Sequence, residues 1–246
     1  MNNYKLIGRA GEGAHGFVFK GLDLRTQKYV ALKKVAVNPN VGIPKNIFRE
    51  ICSLRVLKFR NIVKLIEVTS MGSSVILVME YLPWSLADVL KNYDKSLTLS
   101  QIKTYSKMML NGIDYIHQNH IMHRGETDIE QLAIVLDTLG TPNDETWPEL
   151  KELPDYNKIV FTPSTPKSWR IILSTADSST VSLISKILIY NGIRRLTARE
   201  ALKHEFFRNE PYPCKLSKMP KLKNEAPEMT WNFADFDECL EKLEKK

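Results

Sequence analysis

The chain is short of cysteine, of long apolar runs and of basic stripes, and each shortage excludes something. Cys52, Cys214 and Cys239 are its three cysteines, an odd and widely spaced set with no Cys-x-x-Cys. Reduced thiols in a cytosolic or nuclear protein are the expectation. No apolar stretch approaches the length of a bilayer-spanning helix, and the opening Met1-Asn2-Asn3-Tyr4-Lys5-Leu6 has no basic segment leading into an apolar one. An intracellular chain with no membrane partner is therefore expected. The basic residues are not interleaved with aromatics in the manner of a nucleic-acid surface, so no nucleic-acid partner is expected either. His117 and His120 lie three apart, but no Cys, Asp or Glu cluster joins them as a metal site requires.

What is present is an ordinary globular composition, 43% hydrophobic and 26% charged over 246 residues, enough for one large core or two modest ones. Charge is uneven: residues 1–124 carry 18 Lys/Arg against 8 Asp/Glu, and the remainder 17 against 20. A lobe that handles a polyphosphate is biased this way, as are many solvated surfaces.

Tyr4 to Phe19 reads as two strands around a glycine turn, Gly11-Glu12-Gly13-Ala14-His15-Gly16-Phe17-Val18. Glycines let a backbone approach a phosphate closely. A dinucleotide fold would place a helix after them and an acid about twenty residues on. Here an aromatic and β-branched strand follows, and the position twenty on is Lys33. The dinucleotide reading is excluded. Lys33 ends a third strand, Tyr29-Val30-Ala31-Leu32-Lys33, and because Lys34 follows it, only one of the two can face a cleft.

Pro44 to about Lys58 has Ile47, Ile51, Leu54 and Leu57 at helical spacing, with Glu50 beside that face and able to meet a strand lysine. Strands are predicted at Ile62–Val68 and Val75–Tyr81, a short helix at Leu86–Leu90 and a long one from about Leu99 to His120. Ile102, Tyr105, Met109, Ile113 and Ile116 form the expected buried stripe of the long helix.

In this order, the glycine loop ending in Val18, the Val-Ala-Leu-Lys ending at Lys33, the helical Glu50 and the late His123-Arg124 resemble the first half of the protein-kinase motif set. The helix at Pro44–Glu50 resembles the cyclin-facing helix of the cyclin-dependent kinases. The resemblance covers about residues 1–210. It implies an α+β, protein-kinase-like fold, with a small β-rich N-lobe carrying one helix (1–82), an incomplete helical C-lobe (83–210) and a flexible tail (211–246). It also implies ATP-dependent phosphoryl transfer to protein Ser/Thr, magnesium, a cyclin or cyclin-like partner at Pro44–Glu50, a role in cell-cycle regulation, and a nuclear, cytoplasmic or ciliary setting. By the same resemblance Gly11, Gly13, Gly16 and Val18 would cover the phosphates and adenine, and Ala31 would line the adenine pocket. Lys33 would hold the α/β-phosphates and pair with Glu50. Met79 matches the gatekeeper position, and Glu80 to Leu82 the hinge whose backbone would bond the adenine edge.

The resemblance breaks at Ile121-Met122-His123-Arg124-Gly125-Glu126. The family has its catalytic Asp where this chain has Gly125, and no Lys-x-x-Asn follows directly after it. Asp-Phe-Gly occurs nowhere, and no Ala-Pro-Glu stands between Gly125 and Arg195 (Ala226-Pro227-Glu228 lies in the tail), so both magnesium ligands and the activation loop are missing. The family's later landmarks then resume: a helix pattern at Thr127–Leu139, Gly140-Thr141-Pro142, Trp147-Pro148, Pro154-Asp155-Tyr156 and a closing stretch from Arg194 to Phe207. Arg195, with no Ala-Pro-Glu ahead of it in the chain, is expected to find solvent or another acid. Without the helix that runs through the centre of the large lobe, that lobe is expected to pack loosely. Two readings compete. One is an internally truncated form of a working Ser/Thr kinase. The other is a truncated pseudokinase that binds ATP or a cyclin-like protein.

Overall fold

The computed structural model describes residues 3–13, 16–37, 42–72, 74–93, 96–123, 128–154, 156 and 162–222. They form two compact units, one within Met1–Leu97 and Met219–Lys246 and the other Thr98–Lys218.

The first unit is a five-stranded antiparallel sheet with one long helix. Its strands are β1 (Tyr4–Gly13), β2 (Gly16–Asp23), β3 (Lys28–Ala36), β4 (Leu65–Met71) and β5 (Ser74–Glu80), in the order β1-β2-β3-β5-β4. β4 begins three residues later than Ile62, because Ile62 N–H closes a turn onto the Phe59 carbonyl before the chain extends. Gly72, at φ +57, supplies the turn from β4 to β5, a conformation that costs glycine nothing.

Side-chain alternation gives the sheet two faces. Tyr4, Phe17, Phe19, Val30, Leu32, Ile76 and Val78 make the core of one. On the other, Val35 and Leu77 pack against Ile47 and Ile51 of α1 (Lys45–Val56). Burying each such aliphatic side chain contributes about 1.5–3 kcal/mol, so α1 is held through the face that its apolar spacing predicts. A second helix, α2 (Leu86–Asn92), starts at a reciprocal cap: the Ser85 hydroxyl accepts the Asp88 N–H while the Asp88 carboxylate accepts the Ser85 N–H.

β1 and β4 are opposite edges of the sheet, yet Arg25, in the turn between β2 and β3, reaches both. Its Nη2 donates to Tyr4 Oη at 2.6 Å and to Glu67 Oε2 at 3.1 Å, while Nε donates to Asp23 Oδ1 at 3.1 Å. The sheet therefore curls until its edges meet around one guanidinium.

The second unit is helical. α3 (Leu99–Gln118) is followed by α4 (Asp128–Leu139), α5 (Trp169–Ile172), α6 (Ser178–Ile187) and α7 (Ala198–Ala201). Thr98 with Gln101, and Thr197 with Glu200, form reciprocal caps on α3 and α7. The core gathers Leu183, Ala201, Phe206 and Phe207, with Leu99, Leu110, Ile187 and Leu196 packed on it.

α3 departs from expectation. Its buried residues are Gln101, Lys103, Thr104, Gly112 and Ile116, while Ile102, Met109 and Ile113 are exposed. The side turned inwards is the one that packs on α7 and on residues 205–218, where its polar groups find partners. Lys103, fully buried, donates from Nζ to the Asn209 carbonyl at 2.8 Å and lies over the Phe206 ring at 5.0 Å. Thr104 Oγ1 donates to the Ser100 carbonyl and accepts the Cys214 N–H. Apolar periodicity identified the helix and placed Ile116 inside, but not the rest of its buried side.

Arg195 is exposed to solvent, as expected, and meets no acid among the described residues; its guanidinium also donates to the carbonyls of Ile189 and Tyr190. Most of the expected tail, from residue 223 on, lies outside the described residues.

Candidate functional site

β1 and β2 form a hairpin whose last paired residues are Gly13 and Gly16, with Gly11 opposite Val18. Ala14 and His15 lie outside the described residues. Val18 in turn faces Lys33 across β2 and β3, and Lys33 faces Leu77 on β5. Ala31, two residues before Lys33, faces Lys20 on one side and Met79 on the other. Cross-strand partners share a face, so Val18, Lys20, Ala31, Lys33, Leu77 and Met79 project together, on the side that carries α1.

This is why Glu50 reaches Lys33. With Ile47 and Ile51 clamped on Val35 and Leu77, the intervening turn of α1 directs Glu50 at the sheet. Its two carboxylate oxygens accept from Lys33 Nζ at 2.7 and 2.9 Å. The pair is part-buried, with side-chain exposures of 18% for Lys33 and 33% for Glu50. An ammonium so placed, with one hemisphere on a carboxylate, can still offer its remaining proton to an anion on the open side. Lys34 takes the opposite face and is buried, so the adjacent lysines divide as strand geometry requires.

Glu80 ends β5 on the face away from this site. Its Oε1 accepts the Lys64 N–H at 2.8 Å, and its own N–H donates to the Lys64 carbonyl. What Glu80 can offer a ligand is backbone, not charge. Leu82, two residues on, is exposed. His123 is exposed at the end of the second unit's described segment, and Arg124 and Gly125 lie outside the described residues.

One group at the site has no sequence signal. Lys20 Nζ stands 4.5 Å over the Tyr29 ring and 5.5 Å over the Tyr81 ring, and the two rings meet edge to face. Tyr81 opens the segment after β5, so a cation–π contact of about 0.5–1 kcal/mol ties that segment to β2. Only the sheet register brings these three residues together.

A protein kinase domain model matches residues 4–138. Cyclin-dependent kinase 20 of Danio rerio is 33% identical, over 89% of this chain and 88% of that protein. This chain belongs to the protein kinase family, in its cyclin-dependent subfamily. The human cyclin-dependent kinase 20 is 30% identical over 89% of this chain and 87% of its own length. A probable cyclin-dependent kinase 10 of Dictyostelium discoideum is 26% identical over 95% of this chain and 88% of its own. The kinase fold expected from the motifs is the one observed: a five-stranded antiparallel sheet with a lysine-bearing central strand, and a helical unit after it.

Proposed function

We propose that this kinase-family chain holds ATP on the sheet of its first unit and a cyclin-like protein at Pro44–Glu50, without transferring phosphate by itself. The observation that carries the nucleotide half is the Lys33–Glu50 pair, at 2.7 and 2.9 Å. Ala31, a small side chain, pairs with Met79 across β3 and β5, and the glycines at the β1–β2 hairpin allow backbone to approach phosphates. ATP fits this set of groups. Magnesium does not, since the sequence supplies neither the Asp of Asp-Phe-Gly nor the Asn that follows the catalytic Asp.

The absence of transfer follows from Gly125. A positioned base contributes about 10²–10⁴ in rate, and the metal ligands that would neutralise developing charge are missing too. The alignment to the Danio relative runs over 301 positions, more than the 246 residues of this chain, so at least 55 of them face no residue here. That supports internal shortening of a working kinase, because a chain decaying in place would lose Lys33, Glu50 or the glycines while keeping its length.

For the partner, α1 offers exposed Phe48, Cys52 and Val56 on one face, an apolar strip flanked by Arg49 and Arg55. The test is a phosphoryl-transfer assay with γ-labelled ATP and a general protein substrate, with and without a cyclin. No labelled protein is expected. Label that appears with the wild type and disappears with Lys33→Met would overturn the proposal.

A further inference from the structure

A second chemical feature lies in the helical unit, independent of nucleotide binding. Residues 162–168 read Thr-Pro-Ser-Thr-Pro-Lys-Ser, and every one is exposed. They adopt neither helix nor strand and form a strap along the end of α4. Two anchor points fix it. At the first, the Ser164 N–H donates to Thr141 Oγ1 at 2.8 Å, the Thr141 N–H donates to the Ser164 carbonyl at 2.9 Å, and Ser164 Oγ donates to the Leu136 carbonyl. At the second, the Lys167 N–H donates to the Thr138 carbonyl at 3.1 Å and Lys167 Nζ to Asp137 Oδ2 at 2.6 Å.

Thr165-Pro166 spans the interval between the anchors. Proline disfavours the helical region for the residue before it, so Thr165 is held extended. Its hydroxyl has no hydrogen-bond partner among the described residues. Gly140 lies directly beneath: a Cβ there would stand 2.6 Å from Pro166 N. The strap is thus pressed on its inner side and open on its outer one.

We propose that Thr165 is a phosphorylation site for a proline-directed Ser/Thr kinase acting in trans. An extended, solvent-facing hydroxyl followed by a residue without an N–H is what such an enzyme reads, and Lys167 adds a cation two residues on. In the step, Thr165 Oγ1 forms a bond to the γ-phosphorus of ATP held by the modifying kinase. The bond from that phosphorus to the β–γ bridging oxygen breaks, ADP leaves, and the hydroxyl proton passes to the modifying kinase's base. Thr162 also precedes a proline, but its carbonyl is tied to Thr141 Oγ1 at 3.2 Å; Thr165 is the favoured acceptor.

The product carries about −1.5 to −2 charge near neutral pH. It lies two residues from Lys167, where it competes with Asp137, and beside the carbonyl end of α4, where the helix dipole disfavours an anion. Phosphorylation therefore loosens the strap.

The test incubates the full chain with an active proline-directed kinase and magnesium ATP, maps phosphate by mass spectrometry and follows amide exchange. Phosphate is expected at Thr165, lost in Thr165→Ala, kept in Thr165→Ser and Thr162→Ala, and slowed by about tenfold or more in Pro166→Ala. The Ser164 and Lys167 amides should exchange faster once it is attached. Wild-type chain left unmodified at Thr165, or modified equally in Pro166→Ala, overturns the site. Because Thr165→Ser preserves the hydroxyl and the proline, the result does not hang on how Pro166→Ala folds. Unchanged exchange at both amides overturns the release of the strap.

Discussion

Lys33 and Glu50 stand 17 residues apart in sequence, on different kinds of element, yet Lys33 Nζ contacts both carboxylate oxygens of Glu50. The contact depends on Val35 and Leu77 fixing the phase of α1 through Ile47 and Ile51. It is a joint product of helix periodicity and strand alternation. Part-exposed ion pairs contribute little to folding, about 0–1 kcal/mol, so its value lies in aiming the ammonium.

Glu50→Gln should therefore separate binding from stability. ATP affinity is expected to fall by about tenfold, equivalent to about 1.4 kcal/mol, with little change in the midpoint of denaturant unfolding. Parallel calorimetric titration and urea melts check this. A large stability loss with unchanged affinity would make the pair structural.

Arg25 closes the curled sheet, and its neighbours give that closure a pH signature. Its hydrogen bond holds the Asp23 carboxyl below the usual carboxylate range, against the opposing effect of burial. A depressed folded-state value means stability that is present above the unfolded value and lost as pH falls through the folded one. Burial first, then Glu67, pushes Tyr4 up to about 12 from 10.0. For that group the contribution is complete below pH 10 and lost as pH rises towards about 12. Arg25→Ala should flatten the acid limb. Fluorescence-monitored unfolding from pH 2 to 12 reads both limbs, and an acid limb identical in the variant would dismiss the closure.

Gly140 combines φ +74 with a backbone neighbour 2.6 Å from where a Cβ would stand. Gly140→Ala is expected to cost more than about 1 kcal/mol and to speed exchange at the Lys167 amide. Unfolding of the full chain in denaturant, read with hydrogen exchange, tests both. An unshifted midpoint would mean that the strap moves aside freely.

Much of this was legible in the residues themselves. The glycine turn, the strand around Lys33, the helix bearing Glu50 and its apolar face all follow from local spacing, because each lies within one element. Three features were not. The long helix buries Gln101, Lys103 and Thr104 rather than Ile102, Met109 and Ile113, because partners about a hundred residues on decide which side is inside. Arg195 turns to backbone carbonyls, which leave no trace in composition. Lys20 meets Tyr29 and Tyr81 only through a three-strand register. Local periodicity specifies elements; which faces meet depends on the rest of the chain.

The most direct test of the account is titration of the full chain with ATP in the presence of EDTA, for the wild type and for Lys33→Met. The wild type should bind saturably, within a few-fold of the affinity seen with magnesium, and Lys33→Met should lose binding. Binding that is absent from the wild type, equal in the variant or strictly dependent on magnesium would contradict it.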